Sequence, residues 1–213
     1  MFRGIDICYL RKLAGSVLSP KTMLEPIKYL NKISPLSQGT ISSLVELFRP
    51  TVLKEDEFFI EEGKYAKEIG FLESGVARAF FVNKEGKEYN KQFFVGPTLM
   101  GAYTSLLTNQ KNKIAQKTLT ECKIWRAPFH EIESLYAKYH DFERLGRKIA
   151  EHYFLEKEKK EIEMALLDAE YRYTIMREEF PGLEMKIPQY HIASYLGISP
   201  TQLSRVRSKM AKR

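Results

Sequence analysis

The chain has 213 residues, 44% of them apolar, and a formal net charge of +7. No uninterrupted apolar stretch approaches the roughly 18 residues a membrane span needs, so a cytoplasmic protein with no membrane partner is expected, built as one large domain or two small ones. Two cysteines, Cys8 and Cys122, are too few for an iron–sulfur cluster or a four-thiolate zinc site, and free buried thiols fit a reducing compartment.

Residues 1–22 read as an N-terminal extension to which the pattern assigns no role. From Met23 onward, Leu24, Ile27, Leu30 and Ile33 recur at helical spacing. After Ser34-Pro35, the segment Ile41–Phe48 predicts a second helix with Leu44, Leu47 and Phe48 apolar. The period then changes. Phe58–Ile60, Ile69–Leu72, Val76–Val82 and Tyr89–Val95 are short runs rich in aromatic and β-branched residues, separated by turn signals such as Asn83-Lys84-Glu85-Gly86 and Gly96-Pro97. Such spacing predicts an antiparallel barrel or sandwich, to which Leu119–Ala127, with Trp125, adds a strand. Between them, Leu99–Lys117 contains Gly101–Leu107, either a short helix across the barrel whose N-terminus could receive an anion or an ordinary connector.

None of the four histidines (His130, His140, His152, His191) lies in Thr51–Phe129, which argues against a metal enzyme on this β-rich region. No nucleophile elbow, phosphate-binding loop or paired-carboxylate motif is present, so no catalytic residue, metal ligand or enzymatic activity is expected.

Phe129–Tyr139 turns helical again, and Asp141 to about Leu167 predicts one long helix. Phe142, Leu145, Ile149 and Tyr153 form its apolar seam, which Ile162, Leu166 and Ala169 resume. Between them, Glu156–Glu161 reads as a solvated face with opposite charges four apart, Glu156 with Lys160 and Lys157 with Glu161. A helix of this length with a partial seam suggests pairing with its twin. A further helix, Ala169–Phe180, ends at Pro181-Gly182.

The last stretch predicts two short helices about a tight turn. Pro188 suits the first helix start, Ile192, Ala193 and Leu196 share a face, and Gly197 sits where a left-handed cap is wanted. Ser199 is an N-cap and Pro200 the first helical residue of the second helix, which buries Leu203, Val206 and Met210. Residues 181–213 hold six Lys/Arg against one Glu, a net +5 that concentrates positive charge where phosphate binding would need it. This is the helix-turn-helix pattern.

Small helices, β-rich region, long helix and helix-turn-helix, in this order, resemble the Crp/Fnr family of bacterial transcription regulators over about residues 28–210. The resemblance is carried by Phe71–Glu88 (FLESGVARAFFVNKEGKE) and by Ile187–Lys209. It implies an α+β fold: an N-terminal antiparallel β-roll or jelly roll with flanking helices (23–140, cyclic-nucleotide-binding-like), a long dimerisation helix (141–167) and a C-terminal helix-turn-helix domain (168–213). It further implies a homodimer on double-stranded DNA, with RNA polymerase a further candidate partner. The chain is most similar to the branch without a wing after the recognition helix, so wing contacts to DNA are expected to be absent.

By position in the motif, Ser199, Thr201, Gln202 and Arg205 occupy the exposed start of the recognition helix, Arg205 being able to donate twice to guanine and Gln202 able to pair with adenine or touch phosphate. Tyr190, Arg207 and Lys209 are phosphate candidates. Pro200 stands where relatives often carry a base-reading arginine. In the ligand pocket, the Gly-Glu pair of cyclic-AMP-binding members is Gly101-Ala102, and Asn112, between Lys111 and Lys113, aligns with their phosphate-binding arginine. Control by cyclic AMP is therefore not expected, because a buried phosphodiester without a fixed guanidinium is costly. An unknown small-molecule effector could sit near Gly101, Ala102, Tyr103, Ser105, Asn112 and Lys113. The alternative function is a ligand-sensing roll acting through protein contacts, its DNA-binding part vestigial.

Overall fold

The computed structural model describes residues 23–211. The extension at 1–22, with Cys8, lies outside the described residues, as do Lys212 and Arg213. Two short helices come first, α1 (Leu24–Ile33) and α2 (Gln38–Leu47). The second starts three residues earlier than its apolar pattern predicts, because Ser37 caps it by accepting from the Thr40 N–H.

Eight strands follow: β1 (Arg49–Leu53), β2 (Phe58–Ile60), β3 (Glu68–Ser74), β4 (Val76–Val82), β5 (Glu88–Val95), β6 (Thr98–Met100), β7 (Ala115–Thr118) and β8 (Cys122–Pro128). They form two four-stranded antiparallel sheets, ordered β1-β8-β3-β6 and β2-β7-β4-β5. The last strand begins at Cys122 rather than Leu119, since the Leu119 and Thr120 N–H groups both turn to the Val76 carbonyl. Helix α3 (Tyr103–Thr108) links the sheets between β6 and β7.

Pleat alternation gives each sheet two apolar faces. Phe59, Leu72, Ala77, Ala79, Phe94, Met100, Cys122 and Ile124 fill the roll. Gly70 keeps this space narrow: a Cβ there would lie 2.9 Å from the Phe59 ring. Outside the first sheet, Phe71, Trp125 and Ala127 pack on α1, α2, helix α4 (Phe129–Lys138) and the start of helix α5 (His140–Leu166) through Leu30, Leu44, Ile132 and Leu145. Outside the second, Val76, Phe93 and Leu119 enter the core of the C-terminal helices, among Tyr173, Met176, Leu183, Ile192, Leu196 and Leu203.

The two halves of the partial seam of α5 have different surroundings. Phe142 and Leu145 are buried on the roll side, whereas Ile162 and Leu166 are 58% and 77% exposed. The charged run is not wholly solvated either. Lys157 and Glu161 pair at 3.6 Å, but Lys160 lies 3.9 Å over the Tyr195 ring and pairs with Glu163, not with Glu156. Packing against the C-terminal domain draws this side of the helix out of water. Among the described residues no helix is long and apolar enough to cross a membrane.

Candidate nucleic-acid interface

After α5, Asp168 caps helix α6 (Ala169–Glu179), its carboxylate accepting from the Glu170 and Tyr171 N–H groups. A short 3₁₀ turn (Leu183–Met185) leads to α7 (Gln189–Tyr195) and α8 (Pro200–Met210). Gly197 adopts φ 69°, and the Ile198 N–H reaches back to the Ala193 carbonyl at 3.0 Å while Gly197 N–H bonds Ser194. This Schellman closure fixes the angle between the helices, and the left-handed residue in it must be glycine-like. Two residues on, Ser199 and Gln202 form a reciprocal capping box, Gln202 N–H to Ser199 Oγ at 3.2 Å and Ser199 N–H to Gln202 Oε1 at 2.8 Å. Leu203 is fully buried and Val206 and Met210 pack beside it, which leaves Thr201, Gln202, Ser204, Arg205, Arg207 and Lys209 in solvent.

The structure therefore brings the candidate recognition residues Ser199, Thr201, Gln202 and Arg205 to one presented helix, but it does not leave them equally available. The Gln202 carbonyl is committed to its own cap, so only its amide N–H groups are free to read a base. Lys209 is tied to Glu170 at 2.5 Å and must leave that pair to meet a phosphate. Arg205 and Arg207 are exposed. Tyr190, more than half exposed, stands at the start of α7 with its ring 4.1 Å from that of His191.

A polar cluster that the sequence reading missed holds this domain on the roll. The Asn90 N–H donates to Ser194 Oγ (3.0 Å), Ser194 Oγ donates to the Glu88 carbonyl (3.1 Å), and Asn90 Nδ2 donates to the His191 carbonyl (2.9 Å). Arg78 donates to Asn90 Oδ1 and to Glu88 Oε2 from the roll side. Arg78, Asn90 and His191 are all buried, so the Arg78–Asn90 and Asn90–His191 bonds are made away from water, where an unpaired partner would be costly, while the Ser194–Glu88 bond lies at the exposed edge of the cluster. Burial, with the Arg78 charge beside it, pushes the His191 imidazole down to about 4. No local pattern marks these residues; only the polar residues set among β4 and β5 apolar positions hint that something else packs there.

The candidate effector residues lie together at the β6–α3 turn and the loop before β7, and their polar groups bond the chain itself. Asn112 Nδ2 donates to the Glu61 and Ile114 carbonyls, and its Oδ1 accepts from the Ile114 N–H. Ser105 Oγ accepts from the Ala66 N–H and donates to the Gln110 carbonyl. Gly101 and Ala102 add backbone and a methyl group, while Tyr103 and Lys113 are exposed, Tyr103 edge-on to Phe129. Neither buried polar side chain has a donor left for an anion.

Residues 50–139 match the family model of the cyclic nucleotide-binding domain. In structure the chain is similar to FixK2 from Bradyrhizobium japonicum (14% identity, TM-score 0.69, covering 78% of this chain and 85% of that one). It is also similar to a Crp/Fnr-family transcriptional regulator from Eubacterium rectale (12%, TM-score 0.65, 83% and 85%) and to CLP, the c-di-GMP-responsive global regulator of Xanthomonas campestris (17%, TM-score 0.64, 83% and 92%). No curated protein matches the chain in sequence. At these identities the likeness establishes the fold.

Proposed function

We propose that the chain is a homodimeric transcription regulator of the Crp/Fnr type that binds specific DNA sequences and is not controlled by cyclic AMP; the match of residues 50–139 to the cyclic nucleotide-binding domain and the fold shared with Crp/Fnr regulators support this reading. The observation that carries this reading is the recognition helix: a Schellman turn and a capping box fix α8 around buried Leu203, and Arg205 and Arg207 stand in solvent on it. A helix so presented suits the major groove, with guanidinium groups for guanine edges and phosphates.

The test is a binding assay on sites selected from genomic fragments. Arg205→Ala should cost about 1–3 kcal/mol against the selected site and relax the preference at one guanine. Arg207→Ala should weaken binding to all duplexes alike and lower the salt slope by about 0.9. Uniform affinity for every sequence, untouched by either substitution, would remove specific readout from the proposal.

Dimerisation is supported by the apolar residues that α5 leaves uncovered. Leu155, Ile162 and Leu166, at steps of seven and four, share one stripe, opposite the side on which Met164 approaches Gly197. Each such side chain left in water forgoes about 1.5–3 kcal/mol of burial. Sedimentation should give twice the 24.8 kDa chain mass, and Leu155→Glu with Ile162→Glu should give single chains that lose affinity for a two-half-site duplex. A wild-type monomer at assay concentrations would contradict the dimer.

Against cyclic AMP stand Ala102, which offers no carboxylate for a ribose, and Asn112, whose amide is already spent on Glu61 and Ile114.

A further inference from the structure

We infer that the β4–β5 hairpin is a second phosphate-contacting surface for duplex DNA, acting beside the recognition helix; this rests on the DNA-binding reading above. The hairpin is bonded to the DNA-binding unit, not only to the roll. Glu88 and Asn90, just past its tip, are joined to Ser194 and His191 of α7 by the three hydrogen bonds already described. In a helix-turn-helix the first helix is the one that crosses the DNA backbone. An element fixed along α7 is therefore carried to the backbone when α8 enters the groove.

The tip is also built to hold its charges in place. Asn83 Oδ1 accepts from the Glu85 and Lys87 N–H groups, Gly86 takes φ 79°, and the Asn83 and Lys87 backbones close the turn at 3.0 Å. Lys87 lies 5.1 Å over the Tyr89 ring, which stacks on Phe81. Lys84, Lys87 and Lys91 are exposed, and among the described residues none of them has an ion-pair partner. Glu88 is neutralised by Arg78 at 2.6 Å, which leaves Glu85 as the one opposing charge of the tip. Lys84 and Lys87 on a short, stiff turn, with Lys91 on β5 beside it, can position a duplex without reading its bases.

The experiment uses the full chain and a random-sequence duplex, measuring affinity across a salt series for the wild type, for K84Q/K87Q/K91Q and for K84R/K87R/K91R. The Gln variant should lose about 0.9 from the salt slope for each lysine–phosphate contact removed, and the Arg variant should keep the wild-type slope. All three side chains are exposed, and the Lys87–Tyr89 contact is small, so thermal unfolding should move little. Wild-type binding with a slope unchanged in the Gln variant would overturn this inference alone and assign the lysines to a protein partner or to solvent. A slope lost equally in the Arg variant would also overturn it, because the effect would then follow shape and not charge. A wild type that binds no duplex at low salt would sink the DNA-binding reading first, and this surface with it.

Discussion

Phe93→Ala should destabilise the protein by about 3–5 kcal/mol and loosen the C-terminal domain from the roll. Phe93 is 2% exposed although it sits on the outer face of its sheet, because Phe180 and Tyr195 cover it. Its ring meets Phe180 edge-on, centroids 6.0 Å apart, and Tyr195 at 4.9 Å. The substitution thus removes buried area and two aromatic contacts, each worth about 0.5–1.5 kcal/mol beyond that area. The cavity cannot close readily, since β5 is fixed by its pairing to β4 on one side and by Asn90 and Ser194 on the other. Chemical unfolding should show a lower midpoint, and amide exchange should rise first in α7. Phe81→Ala, on the exposed end of the same hairpin, should cost under about 1 kcal/mol. Equal costs at the two positions would mean that the domains are not coupled through Phe93.

That coupling is the part of the molecule the sequence conceals. Elements whose causes are local are legible: Ser199, Pro200 and Gly197 announce a helix start and a turn within four residues, and the capping box and φ of 69° follow from them. The length of α5 is a periodic signal, and β4 and β5 are marked by aromatic and β-branched runs on either side of the Asn83–Gly86 turn. Asn90, by contrast, meets its partners 101 and 104 residues away, and its meaning depends on a packing no window of sequence contains.

Three strands are hidden for other reasons. The first, β1, contains Pro50, which a strand tolerates here because β1 is an edge. The strand β6 is three residues long. The central strand β7 is Ala-Gln-Lys-Thr, polar where an apolar run would be expected. It is buried nonetheless, because Thr118 Oγ1 donates to the Lys54 and Glu57 carbonyls and accepts from the Glu57 N–H. Ser105 and Asn112 show the opposite case. Their types and position invite a ligand reading, and their bonds are with the protein's own backbone.

Lowering the pH from 7 to 4 should undock the C-terminal domain, with His191 as the responsible group. Asn90 Nδ2, at 3.3 Å, can only donate, so His191 Nδ1 must accept, which places the ring proton on Nε2 and makes the docked imidazole neutral. Docked, the ring titrates at about 4; released into water it returns to its ordinary 6.5. The released state therefore binds the proton first. Docking is at full strength above pH 6.5, weakens as pH falls through the interval, and has lost about 3 kcal/mol once pH is below 4.

The groups facing the ring are Arg78, Glu88, Asp56 and Lys117 from the roll. Glu88 is held by Arg78, and Lys117, hydrogen-bonded to Asp56, holds the Asp56 carboxyl below its ordinary value. His191→Gln keeps a polar side chain at the same place and removes the titration, so its docking should be nearly level between pH 7 and 5. Amide exchange in α7, or fluorescence transfer between labels on the roll and α8, would follow the change. A wild type and a Gln variant that lose docking together would place the proton on another group, whereas a wild type that undocks alone ties it to His191.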